Sequence, residues 1–152
     1  MNILKLELTH FGKFHLKTIT FTSGLNIVYG KNEAGKSTIH AFVRSMLFGI
    51  PDTEEGNERY SHYLPWETPH DFCGRMWIKK DDKVYRIERN FLRPQPTVRV
   101  FDDETDESLQ PAKQHLRQIL SGLTETSYLN TICIEQLKSA TDPQLAKELE
   151  DM

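Results

Sequence analysis

The sequence predicts an α/β fold in which a strand, a glycine-bearing loop and a helix are joined to an antiparallel β-meander, and three observations predict it. Gly30-Lys31-Asn32-Glu33-Ala34-Gly35-Lys36-Ser37-Thr38 matches the pattern G-x-x-x-x-G-K-[ST] at every required position. The apolar run Leu25-Asn26-Ile27-Val28-Tyr29 precedes it as a buried strand, and the stretch from Thr38 to Phe48 follows it as a helix. Further on, three β-rich segments are separated by turn residues.

The loop's residue types follow from the chemistry of a triphosphate. Consecutive backbone N–H groups that close onto a helix N-terminus neutralise several negative charges without mobile side chains. Gly30 and Gly35 let the backbone turn tightly and come close to the phosphates. Lys36 is placed to reach the β- and γ-phosphates, the Ser37 hydroxyl to ligate Mg²⁺, and Thr38 to contact the α-phosphate. Asn32, Glu33 and Ala34 complete the loop, so ATP with Mg²⁺ is the expected cofactor pair.

Taken in order, Met1 to Leu8 alternates as a strand with one wet face, and His10-Phe11-Gly12-Lys13-Phe14 is expected to break it. Leu16 to Phe21 alternates again, and Thr22-Ser23-Gly24 turns the chain into the strand before the loop. After the loop, Ile39, Phe42, Val43, Met46 and Leu47 form the core stripe of the helix, which Gly49 and Pro51 stop. Asp52 to Asp71 lacks periodicity and is expected to be a long surface loop, pinned to the domain by Tyr60, Tyr63, Leu64, Pro65 and Trp66. Phe72 to Ile78, Val84 to Phe91 and Thr97 to Phe101 are the meander strands, with Lys80-Asp81-Asp82-Lys83 as a turn. Arg86, Arg89, Arg93 and Arg99 alternate with apolar residues and predict a basic face, either solvated and balanced by acids or in contact with nucleic acid. Asp102 to Glu107 is an acidic turn, and Pro111 to Leu120 a short helix closed by Ser121-Gly122. Another helical turn is expected to begin in Thr124 to Asn130. Thr131 to Glu135 then reads as a short buried strand ending at Gln136, and Asp142-Pro143 starts a last helix with Leu145, Ala146 and Leu149 on one face.

Composition sets the bounds. A chain of 152 residues supports one domain with a real core, and 38% hydrophobic with 27% charged content is that of a soluble globular protein. No apolar run approaches a membrane span or signal peptide, so a cytoplasmic protein with no membrane partner is expected. Cys73 and Cys133 lie far apart without metal or redox spacing and are expected to be reduced, buried thiols. His62, His70 and Cys73 are close in sequence but fit no standard zinc pattern. A net charge of −3 gives no footprint for nucleic acid, so any DNA contact must be local or made by another segment.

The order of elements resembles the N-terminal half of an SMC-type ATPase head. That group includes the DNA double-strand-break repair ATPases, the SbcC exonuclease subunit and the bacterial YhaN-like proteins. Besides the loop with its flanking Gly24 to Tyr29, the resemblance rests on His10-Phe11-Gly12-Lys13-Phe14, Met46-Leu47-Phe48-Gly49, Tyr63-Leu64-Pro65-Trp66 and Tyr85-Arg86-Ile87-Glu88-Arg89. It implies a P-loop NTPase fold of the ABC/SMC type, with residues 1–138 as the ATP-binding N-terminal lobe and 139–152 as the start of an outgoing coiled-coil helix. It implies that Gln136 is the Q-loop glutamine that contacts Mg²⁺ and the attacking water. In the repair ATPases a basic residue after the first strand touches the nucleotide; here Gly12 stands near that place, with Lys13 beside it.

The resemblance further implies a role in DNA repair or chromosome maintenance, with ATP hydrolysed only together with a C-terminal half and a second head. DNA is then a partner of the full-length protein. No stretch reads as the signature Ser-Gly-Gly loop of such heads, so the 152 residues are expected to bind ATP without appreciable turnover. Ile132-Cys133-Ile134-Glu135 reads as the strand leading to Gln136; the alternative is an acidic metal strand. That alternative would make the chain a self-contained P-loop kinase or phosphotransferase with Glu135 on the metal and Arg59 in a lid. A GTPase is set aside because no Asn-Lys-x-Asp segment is present.

Overall fold

The computed structural model describes residues 2–20, 33–122 and 124–127, with the backbone alone for 33–36. The strand expected over 25–29, the segment from Thr131 to Gln136 and the terminal helix lie outside the described residues. β1 (Asn2–Phe11) and β2 (Phe14–Thr20) form an antiparallel hairpin, followed by helices α1 (Glu33–Phe48) and α2 (Glu54–Tyr63). β3 (Cys73–Lys80), β4 (Lys83–Asn90), β5 (Thr97–Asp102) and β6 (Glu107–Ser108) form the expected meander, and α3 (Ala112–Leu120) and the single turn α4 (Glu125–Ser127) follow. The strands make one antiparallel sheet in the order β2-β1-β3-β4-β5-β6.

Register explains which face is buried. Ile19, Leu6, Met76, Ile87 and Val100 pair in a row across five strands, and all five are buried. A two-residue side-chain period places that row on one face, and α1 packs there against β1, β3 and β4. Phe42, Val43, Met46 and Leu47 of α1 fill the space. Phe11 is the centre of an aromatic cluster, with ring centroids 5.1 Å from Phe42, 5.2 Å from Tyr63 and 5.3 Å from Phe72. At Gly74 a Cβ would lie 2.2 Å from Phe42 Cε1, so the absence of a side chain there lets α1 settle onto β3.

The opposite face is self-neutralised. Glu7, Arg75, Glu88 and Arg99 pair across β1, β3, β4 and β5 with alternating sign. The row beside it alternates cations with rings: Lys5 Nζ lies 4.0 Å from the Trp77 centroid, and Arg86 Cζ lies 4.4 Å from that of Phe101. Arg86 is further held by Glu88 at 2.8 Å, Asp103 at 3.2 Å and Asp106 at 2.5 Å. The acid-balanced alternative thus holds for Arg86, while the expectation of one shared basic face is corrected. Arg86 and Arg89 are three residues apart and point to opposite sides of β4, where Arg89 turns inward and donates from Nε to the Met46 carbonyl at 2.6 Å. Arg93 leaves the sheet and donates to Asn57 Oδ1 and the Pro51 carbonyl.

Other boundaries move for identifiable reasons. β1 runs on through His10 and Phe11 because Phe11 is needed in the core, and the turn falls at Gly12 and Lys13. β2 does not alternate as expected: Leu16 is 71% exposed with φ 52°, and from this edge strand Ile19 is buried in the core while Phe14 packs against it. Asp81 and Asp82, both at positive φ, form the two-residue hairpin turn.

The expected loop from Asp52 to Asp71 contains α2 instead. Thr53 caps the helix by accepting from the Gly56 N–H at 3.0 Å, and Gly56, Arg59, Tyr60 and Tyr63 form its inward face at helical spacing. A glycine and an arginine on that face hide the periodicity. At Gly56 a Cβ would stand 2.0 Å from the Pro51 carbonyl oxygen. Tyr60, Tyr63 and Leu64 pin the segment as expected, whereas Trp66 is 82% exposed and pins nothing. In α3, Leu116 and Ile119 point inward, and Lys80 Nζ donates to the last-turn carbonyls of Gln118 and Ile119 at 3.0 and 2.8 Å.

Candidate functional site at the start of helix α1

α1 begins at Glu33, five residues before the expected start, so Glu33, Ala34, Gly35 and Lys36 lie in its first turn rather than in an irregular loop. The first N–H groups of a helix have no intrahelical partner, and the aligned peptide dipoles add positive potential there. A helix N-terminus favours anions in general, and α1 presents its first turn, Glu33 to Lys36, where the sequence pattern predicts a phosphate. Its far end is fixed by the buried stripe on the sheet and by Gly49, at φ 78°, whose N–H donates to the Ser45 carbonyl at 2.8 Å.

The structure brings three sequence-predicted elements together. Ser37 is exposed, and Thr38 next to it is 5% exposed. The β1–β2 turn packs against them: a Cβ on Gly12, at φ 60°, would meet Thr38 Cγ2 and Tyr63 Cδ1 at 3.4 Å. Glycine is required there by the left-handed backbone. Lys13, the next residue in the turn, is exposed. Asn32 and Gln136 lie outside the described residues.

Tyr63 joins these parts. Its carbonyl accepts from the Gly12 N–H at 2.6 Å, its hydroxyl donates to the Ser37 carbonyl at 3.4 Å, and its ring stacks on Phe11 at an interplanar angle of 21°. One residue of α2 therefore ties the hairpin turn to the second turn of α1. In the sequence Tyr63 reads as an anchor of its segment and as part of the phrase Tyr63-Leu64-Pro65-Trp66, without a place at the site. The spacing of Gly56, Arg59, Tyr60 and Tyr63 was the available signal for its helix.

Between α1 and α2 lies an open cavity of about 560 Å³ lined by His40, Ala41 and Arg44 from α1 and Glu55, Glu58, Arg59, His62 and Tyr63 from the other side. Burial lowers the pKa of His40, favouring the neutral ring, and raises that of the Tyr63 hydroxyl. Burial, then the neighbouring Arg44, lowers that of Arg59, against which Glu55 acts. Arg44 bridges Glu55 and Glu125, joining α1, α2 and α4. The charges in this cavity are largely paired, so it braces the helices.

Cys73 is half-buried, and burial together with Asp71 raises its pKa, which disfavours the thiolate. Among the described residues, no group of three or more His, Cys, Asp or Glu side chains could hold a metal ion. No described helix is long and apolar enough to cross a membrane.

The AAA domain family matches residues 1–142. The chain is 43% identical over 56 residues to the uncharacterized protein YhaN of Bacillus subtilis, a match covering 36% of this chain and 6% of that protein. It is 26% identical over 146 residues to the DNA double-strand break repair Rad50 ATPase of Thermococcus kodakarensis, covering 90% of this chain and 15% of that protein. The chain thus spans less than a sixth of the length of these relatives.

Proposed function

Because the chain belongs to the AAA domain family, we propose that it is the ATP-binding N-terminal part of an SMC-like ATPase head of P-loop type. The observation that carries this reading is the sequence pattern Gly30 to Thr38, whose residues from Glu33 onward open α1, with the Gly12–Lys13 turn seated against Thr38. The N–H groups of Asn32 to Lys36 hold phosphate, Lys36 neutralises the β- and γ-phosphates, Ser37 ligates Mg²⁺, and Thr38 and Lys13 border the nucleotide. The exposure of Ser37 and Lys13 supports these roles.

On this reading residues 1–138 are the nucleotide-binding lobe and 139–152 open the coiled coil. Gln136 reaches Mg²⁺ and water, and hydrolysis requires a C-terminal half and a second head. A DNA-repair or chromosome-maintenance role is supported by the likeness to the Rad50 ATPase; on this reading the full-length protein acts in the cytoplasm and contacts DNA. Mg²⁺ supplies charge neutralisation when bound; the chain's own residues bind and orient the phosphates. Calorimetric titration with ATP and Mg²⁺ tests the reading. Lys36→Ala should abolish binding or weaken it severely without changing the fold, and an unchanged affinity would refute the assignment.

A further inference from the structure

At the other end of α1 an open groove of about 900 Å³ runs between the last turn of α1, the ends of β4 and β5, and α3. Its floor includes the half-buried Phe48, Ile50, Val98, Ala112 and Leu120. Among the described residues four cations line it, Arg89, Arg93, Lys113 and Arg117, and no aspartate or glutamate does. The whole chain carries more acids than bases, 22 against 19, so four cations without an acid depart from its composition. Lys113 and Arg117 are exposed on α3 at i and i+4 with Leu120 at i+7, while Leu116 and Ile119 turn inward. Arg89 lies deeper, its Nε donating to the Met46 carbonyl, with no carboxylate within ion-pair distance among the described residues. The last carbonyls of α1 are its partners.

We propose that this groove docks an acidic amphipathic helix from a separate polypeptide. An apolar floor between cationic walls fits a helix that places leucines at i, i+3 and i+7 downward and carboxylates beside them. A nucleic-acid backbone would meet the cations but leave the floor without apolar contacts. The groove lies about 20 Å along α1 from its N-terminus, at 1.5 Å per residue, away from the end where the other half of a head and a second head would close over nucleotide. Docking is therefore independent of the nucleotide reading.

The test uses the whole 152-residue chain and a synthetic helix of about 20 residues, leucine along one face and glutamate flanking it, with a lysine-for-glutamate version as control. Fluorescence anisotropy should show saturable binding of the glutamate helix and none of the lysine helix, unchanged by ATP or by Lys36→Ala. Lys113→Glu with Arg117→Glu should weaken binding about tenfold or more. The double alanine variant at the same exposed positions should fall between, and serves if the charge reversal disturbs folding. Equal binding of the lysine helix, no saturable binding of the glutamate helix, or an unchanged affinity in both double variants overturns the proposal. Binding of single-stranded DNA that is lost in the double variants, without binding of the helix, also overturns it and assigns the groove to nucleic acid.

Discussion

Gly74→Ala should destabilise the fold chiefly through Phe42, and the geometry sets the size of the effect. The added Cβ would lie 2.2 Å from Phe42 Cε1 and 2.4 Å from Cζ, whereas carbon atoms pack at about 3.5–4.0 Å, so the ring must retreat by about 1.5 Å. Phe42 is fully buried against Phe11, which leaves it little room. Overpacking of this kind costs about 1–3 kcal/mol, and we expect the upper half of that range. Phe42→Leu removes the two clashing atoms. In that background Gly74→Ala should cost little: a carbonyl contact of 3.1 Å to Glu7 remains, offset by the lower unfolded-state entropy of alanine, worth about 0.4–1 kcal/mol. Urea unfolding of the four proteins should give a coupling of about 2 kcal/mol between the sites. A cost below about 0.5 kcal/mol in the parent, or an equal cost in both backgrounds, would refute the packing argument. Because Phe42 seats the helix that carries Lys36 and Ser37, Gly74→Ala alone should also weaken ATP binding, and the double variant should recover part of it.

Thr53→Ala removes the cap of α2 and should cost about 1 kcal/mol, measured by the same unfolding curves; no loss would mean that the Gly56 N–H finds another partner. Asp82→Gly relieves a residue held at φ 64° in the β3–β4 turn and should raise the unfolding midpoint, whereas a lowered midpoint would show that the aspartate side chain matters more than its backbone. The pure chain should turn over ATP negligibly in a phosphate-release assay; steady turnover abolished by Glu135→Gln and unaffected by Gln136→Ala would favour a self-contained phosphotransferase. Light scattering should show no ATP-driven dimer of these 152 residues, since a shared site needs the covering half, and an ATP-dependent dimer would contradict that division of labour.

The sequence by itself determined the elements whose signals are local. The helix stripe from Ile39 to Leu47, the stop at Gly49, the three meander strands and α3 are legible because each follows its own periodicity or turn chemistry. The pattern G-x-x-x-x-G-K-[ST] is legible for the same reason, since its spacing is a property of consecutive residues. Tertiary structure alone decided what depends on partners distant in sequence. α2 was hidden because its inward face uses Gly56 and Arg59, the first fitted under the Pro51 carbonyl and the second half-neutralised by Glu55, neither of which hydrophobicity can register. The arginines of β4 and β5 looked like one basic face until pleat and register sent Arg86 to a cage of carboxylates and Arg89 to the carbonyls of α1. Likewise, Gly12 is read locally only as a turn. Its place against Thr38 and Tyr63 exists because the sheet and α1 pack on each other, and that packing brings the Lys13 turn to the start of α1.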